Sequence, residues 1–153
     1  LVLVAPPTAW DTRPRQARFY RTAAKVVDWV GLTPVRLLAS LPRPGSANPV
    51  AALHRGVAEQ LAHADARAVA TAMRGAADSD LPDRASLCDL RMPALILAWR
   101  GDSVHPVSTA TQLADLLPRA DLRVAATLDE VRAWPALIAT FARGVSASSR
   151  AAE

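Results

Sequence analysis

Two side chains able to share a proton stand three residues apart in "MPALILAWRGDSVHP", residues 92–106: Asp102 and His105. A carboxylate bonded to one imidazole nitrogen fixes the tautomer and leaves the other nitrogen to take or give a proton. Both follow the apolar run "ALILAW" through Gly101, and open α/β sheets hold their chemistry just beyond the carboxyl ends of strands. Blander roles compete. Asp closes turns and caps helices, and His105 sits in a D-x-x-H-P turn that begins a helix. A base must also come within roughly 3 Å of the proton it removes, so the expected role of His105 is structural, with catalysis as the alternative.

The other candidate groups are weaker. His54 and His63 lie nine residues apart, which on one helix puts them on opposite faces. Neither has zinc spacing with Cys88 or His105, and no metal is expected. Cys88 precedes a strand and reads as a buried small residue, not a nucleophile. Ser103 and Ser108 flank the Asp turn, with Ser108 expected on a helix surface. Lys25 would need deep desolvation to act as an amine nucleophile, and the arginines around it argue against that. The sequence contains no G-x-S-x-G.

Composition narrows the class. The 153 residues are 51% hydrophobic and 21% charged, which excludes a disordered chain and a charge-rich nucleic-acid arm. The net charge of +4 comes from residues 1–50, with seven basic and two acidic side chains. Arg13, Arg15, Arg18, Arg21 and Lys25 spread around a helix without stacking aromatics or a zinc motif, so a solvated surface is expected and no nucleic-acid partner. Trp10, Trp29, Trp99 and Trp134 are each expected at a core or pocket edge. One cysteine makes no internal disulfide, and the default location is cytoplasmic. No apolar run approaches membrane-span length, and no membrane partner is expected.

These residues must be positioned by an α/β arrangement. "LVLV" and "ALILAW" read as strands buried on both faces, and "ADLRVAA" as a third strand. Between the first two, residues 11–88 read as helices. One starts at Asp11 or Thr12, packs Tyr20, Ala24, Val27 and Val30, and stops at Gly31. A second opens at Thr33–Pro34. A third opens at Asn48–Pro49 with Val50, Leu53, Val57 and Leu61. The last follows Asp65 with Val69, Ala72 and Met73. After residue 93 the order strand, helix, strand, helix predicts parallel pairing with crossover helices. Leu113, Leu116 and Leu117 face inward, Val131, Trp134, Ile138 and Phe141 form the face of one closing helix, and residues 144–153 are a flexible tail.

This layout resembles the second half of an α/β-hydrolase fold protein. "LVLVAPPTAW" looks like the strand after the nucleophile helix, and residues 11–88 like an inserted helical lid. "MPALILAWRGDSVHPVSTATQLADLLPRADLRV" is similar to the segment bearing the triad acid, and "RAWPALIATFA" to the terminal helix. The resemblance implies four segments: 1–10, a core strand and exit loop; 11–88, the lid; 89–143, the C-terminal βαβα part of the core; and 144–153, the tail. It implies hydrolysis of a small ester, amide or related substrate by a Ser–Asp–His mechanism, with no cofactor. Asp102 then takes the triad-acid position, and Pro7, Trp10 and Trp99 line a substrate pocket.

The sequence departs from that pattern twice. It lacks the nucleophile elbow, and residues 125–131, where the family's histidine is expected, contain none. A chain opening inside a doubly buried strand is expected to continue an upstream elbow-bearing segment. By itself it is expected to be inactive and to self-associate through an exposed sheet edge. The alternatives are a non-catalytic binding protein on the same scaffold and, third, an independent helical binding domain.

Overall fold

The computed structural model describes residues 1–40, 56, 59–61, 63–102 and 104–150. The chain divides into two compact units, Leu1–Ala9 with Leu81–Glu153, and Trp10–Asp80.

The first unit is a parallel sheet with crossover helices. Its strands are β1 (Val2–Val4), β2 (Ala94–Trp99) and β3 (Ala120–Ala125), side by side in that order. Val2 pairs with Leu95, and Ala94 with Ala120, both in parallel register. All six residues of β2 are buried, with Ile96 and Leu97 at 0% exposure. Such a strand needs an apolar side chain at every position.

β1 is the strand expected from "LVLV", paired on one side in this chain. It is an edge strand among the described residues, with Val2 and Leu3 half-buried and Val4 48% exposed. The apolar run alone could not separate an edge strand from a central one.

The helices of this unit follow from local chemistry. Asp83 caps the short helix Arg84–Cys88, accepting from the Ser86 N–H at 3.0 Å. Leu87 takes its buried position, and Cys88 is exposed, contrary to the buried placement expected of it. The crossover helix Val107–Leu116 starts after Pro106 and buries Leu113 and, just past its end, Leu117. The expected single closing helix is two, Leu128–Arg132 and Trp134–Arg150. Pro135 has no N–H to donate back to Val131, so the first helix ends at Ala133 and a new one begins. Val131 lies on the first of these and Trp134, Ile138 and Phe141 on the second, each only half-buried. Residues 144–150 continue the helix where a flexible tail is expected. Ser146 Oγ returns its proton to the Ala142 carbonyl at 3.0 Å, and the alanines around it favour the helix.

The second unit is the inserted helical region. A 3₁₀ turn (Trp10–Thr12) leads into α1 (Arg13–Val30), followed by α2 (Thr33–Ser40) and α3 (Ala66–Asp78). Thr12 enters α1 with helical backbone angles instead of as an extended cap. Gly31 ends α1 at a φ of 66°, its N–H bonded to the Val27 carbonyl at 2.8 Å. Asp65 caps α3 through the Ala68 N–H at 2.8 Å. Ala24, Val27 and Leu32 pack with Val69 and Ala70, and Met73 adds to the cluster. Ala72, expected on that face, is exposed; the buried positions run Val69, Ala70 and Ala77. Arg21–Asp78 (2.9 Å) and Arg74–Asp28 (2.6 Å) tie α1 to α3. The helix expected at Asn48–Pro49 lies mostly outside the described residues.

Trp29 contradicts its expected core placement. It is 88% exposed, because α1 turns Ala24 and Val27 inward and carries position 29 outward.

Ile96 is the position where the sheet core is most sensitive. Ile96→Ala is expected to lower unfolding free energy by about 3 kcal/mol, from lost burial plus the cavity left behind. Val4→Ala, at the half-exposed edge, is expected to cost less than about 1 kcal/mol. Urea unfolding of both variants beside the unsubstituted chain reads the contrast.

Candidate functional site

The site is built where β2 stops. The ladder continues one residue past Trp99, with the Arg100 N–H bonded to the Ala125 carbonyl at 3.0 Å. The chain then folds back, and the Asp102 N–H donates to the Trp99 carbonyl at 3.2 Å. Glycine is required in this turn. The Trp99 indole lies where a Cβ on Gly101 would stand, so any side chain would have to displace a buried ring.

The turn projects Asp102 into a set of short bonds. One carboxylate oxygen, Oδ1, accepts from the Val104 N–H at 2.8 Å and from the His105 N–H at 3.0 Å. The other, Oδ2, lies 2.8 Å from His105 Nδ1. Partial burial works to raise the Asp102 pKa. The backbone N–H of His105, the His105 ring and the Val104 N–H outweigh it, and the carboxyl is held below its ordinary value. Asp102 therefore stays ionised and presents its charge to an imidazole edge. The pair has the carboxylate-to-Nδ1 geometry of an oriented acid–base unit. It also does local work, since Oδ1 closes the turn before the helix at Val107.

Pro7 is exposed beyond β1, while Pro6 before it is buried. Trp99 is buried beneath the turn. Trp10 is half-buried at the start of the helical unit, with a φ of 46°. His63 and Lys25 are exposed on helices, and Ser108 on the crossover helix. His54 and Ser103 lie outside the described residues. No group of three or more His, Cys, Asp or Glu able to hold a metal ion occurs among the described residues.

Two features went unread in the sequence. The first is the device at residues 125–131. Thr127 Oγ accepts from the Glu130 N–H at 3.3 Å, and the Glu130 carboxylate accepts from the Ala126 N–H at 2.7 Å. This is close to a capping box, and T-x-x-E was its visible signal. The segment thus starts a helix and offers a carboxylate already engaged, with no imidazole. The second is an open cleft of about 310 Å³ lined by Leu122, Val124, Ala125, Glu130, Trp134 and Leu137. Trp134 meets its expected pocket-edge placement there. No single segment signals the cleft, because a strand and a helix form it together.

Comparison with solved structures places this arrangement in the α/β-hydrolase fold. The chain matches MenH from S. aureus at 20% identity and a TM-score of 0.68, covering 95% of this chain and 59% of that one. It matches a thermophilic esterase from Thermogutta terrifontis at 21% identity and a TM-score of 0.63, covering 95% and 56%. A hydrolase from Pseudomonas aeruginosa PA01 matches at 21% identity and 0.60, covering 97% and 54%. The chain thus spans between half and three-fifths of the length of these structures. At such identities the likeness is one of fold: a parallel sheet with crossover helices and an inserted helical region. No family model matches the sequence. No curated protein matches it either.

The lowered Asp102 pKa makes a signed prediction. A group whose folded pKa is depressed contributes stability that is complete above its unfolded value and fades as pH falls through the folded one. Asp102→Ala is expected to cost about 1–2 kcal/mol at neutral pH, the usual cost of losing a charged turn-closing acceptor. The gap between variant and unsubstituted chain should hold down to about pH 4, near the ordinary carboxyl value of 3.8. It should then shrink as pH drops further. Urea melts across an acid pH series read it.

Proposed function

We propose that this chain carries the acid–base part of a hydrolase-type site that cleaves a small ester, amide or related substrate. In this reading Asp102 is the acid and holds Nδ1 of His105, whose Nε2 takes the proton from a hydroxyl nucleophile. The nucleophile comes from an elbow-bearing segment joined to this chain. The observation that carries the reading is the 2.8 Å contact between Asp102 Oδ2 and His105 Nδ1 just past the carboxyl end of a buried parallel strand. Its support includes solved structures described as an esterase and a hydrolase among the matches of the same fold. The helices of residues 11–88 act as the lid in this reading, Pro7, Trp10 and Trp99 remain its candidate pocket residues, and no cofactor is invoked. The location is the cytoplasm, supported by a lone cysteine.

A second reading is a non-catalytic binding protein on the same scaffold. It is favoured by the full use of both Asp102 oxygens in their own turn. The absence of histidine from residues 125–131 also favours it.

Activity separates the two. The 153 residues by themselves are expected to hydrolyse p-nitrophenyl acetate no faster than an unrelated protein, because the sequence holds no nucleophile elbow. In a protein joining this chain to an elbow-bearing segment, Asp102→Asn and His105→Gln are each expected to lower kcat/KM by roughly a thousandfold or more. Loss with Asp102→Asn alone would assign the acid to a different imidazole. No loss with either variant would leave the binding protein.

Self-association through the sheet edge is part of the same proposal. Its support is the one-sided pairing of β1 among the described residues and the exposure of Leu1 and Val4. Sedimentation velocity should show a weight-average coefficient that rises with concentration, and a concentration-independent monomer would exclude the association.

A further inference from the structure

The exposed side of α1 carries large apolar side chains beside basic ones. Phe19, Val26 and Trp29 are 61%, 50% and 88% exposed. At 100° per residue they fall within an arc of roughly 80° and extend along roughly 15 Å of helix. This arc is distinct from the side that packs Ala24 and Val27, and from the side that sends Arg21 and Asp28 to α3.

The five basic residues of the helix are sorted by the same geometry. Arg13 is buried and Arg21 is paired with Asp78. Arg15, Arg18 and Lys25 are exposed and make no ion pair among the described residues. Helical spacing sets Arg15 within the aromatic arc, with Arg18 and Lys25 along one border of it. No acidic side chain of α1 interrupts the patch: its one acid, Asp28, bonds Arg74 at 2.6 Å.

We propose that this face of α1 docks on an anionic lipid surface. A cationic border around exposed aromatic and branched side chains matches the two attractions that hold an interfacial helix: apolar burial at the acyl boundary, and charge against anionic headgroups. Trp and Phe suit the headgroup depth, where an indole buries its ring and keeps its N–H wet. Aromatic side chains of headgroup-depth type beside basic ones, with no acid of the helix between them, favour lipid over an acidic protein partner. The contact is peripheral, since no helix among the described residues is long and apolar enough to cross a membrane. It does not depend on Asp102 or on any hydrolytic role.

Flotation of the whole chain with vesicles tests it, because aggregated protein sinks while bound protein rises. The chain is expected to float with phosphatidylcholine–phosphatidylglycerol vesicles and to float less with pure phosphatidylcholine or in high salt. Phe19→Ser combined with Trp29→Ser should weaken partitioning roughly tenfold or more. Each of Arg15→Gln, Arg18→Gln and Lys25→Gln should weaken it roughly fivefold. All five positions are exposed, and far-ultraviolet circular dichroism should show the helices unchanged in every variant. Equal flotation with neutral vesicles, no flotation at all, or flotation indifferent to these variants would overturn the proposal. So would charge-dependent binding to polyglutamate without flotation, which would assign the face to an acidic protein.

Discussion

The backbone N–H and C=O groups of Ala94–Trp99 have no access to water, so each must find its partner within the sheet. β1 and β3 supply those partners on the two edges of β2, and six apolar side chains cover its faces. Unpaired polar groups at that depth would each cost about 1–3 kcal/mol, more than a small domain can absorb several times over. Burial of both faces goes with the parallel pairing observed on either side. It makes the crossover through Val107–Leu116 necessary, because parallel neighbours cannot be joined by a tight turn. It also sets where polar chemistry can begin, which is the first residue after the ladder ends.

The turn at Arg100–Asp102 is the consequence. Trp99 is still buried, so its indole must stay under the chain as the chain reverses, and only glycine at 101 leaves room for it. Asp102 is the first carboxylate after the strand. It meets two N–H groups and an imidazole within three residues. One carboxylate therefore serves both as a structural cap, through Oδ1, and as the partner of an imidazole, through Oδ2. Stability alone cannot separate them; what separates them is whether a nucleophile reaches the other nitrogen of the ring.

Legibility in the sequence followed the range of the interactions. "ALILAW" announced a doubly buried strand because its burial needs no partner information beyond its own side chains. Asp65 as a cap and Gly31 as a stop were readable for the same reason, each acting within four residues of itself. The pairing of Asp102 with His105 was visible as spacing. "LVLV" was readable as a strand, though its apolarity does not say how many neighbours the strand has. Cys88 misled because Leu87, one position away, fills the buried site of a five-residue helix. The break at Ala133 was written in Pro135 but hidden by an apolar period that both helices share. The cleft beside Trp134 depends on how a strand and a helix lie against each other, and no local pattern encodes that.

α1 carries the same lesson into its charges. Five basic residues around one helix look like uniform solubilising charge when only the sequence is read. Packing breaks the uniformity: the side that meets α3 uses Arg21 and Asp28 for ion pairs, and burial takes Arg13. Arg15, Arg18 and Lys25 keep their full attraction for an external anion because no carboxylate of the helix is left to neutralise them. Phe19, Val26 and Trp29 are exposed beside them and stand apart from the cluster of Ala24, Val27, Leu32, Val69 and Ala70 among the described residues. Exposed aromatic surface that contributes nothing to the core marks a contact made outside the unit, and the charge at its border sets the sign of what it meets.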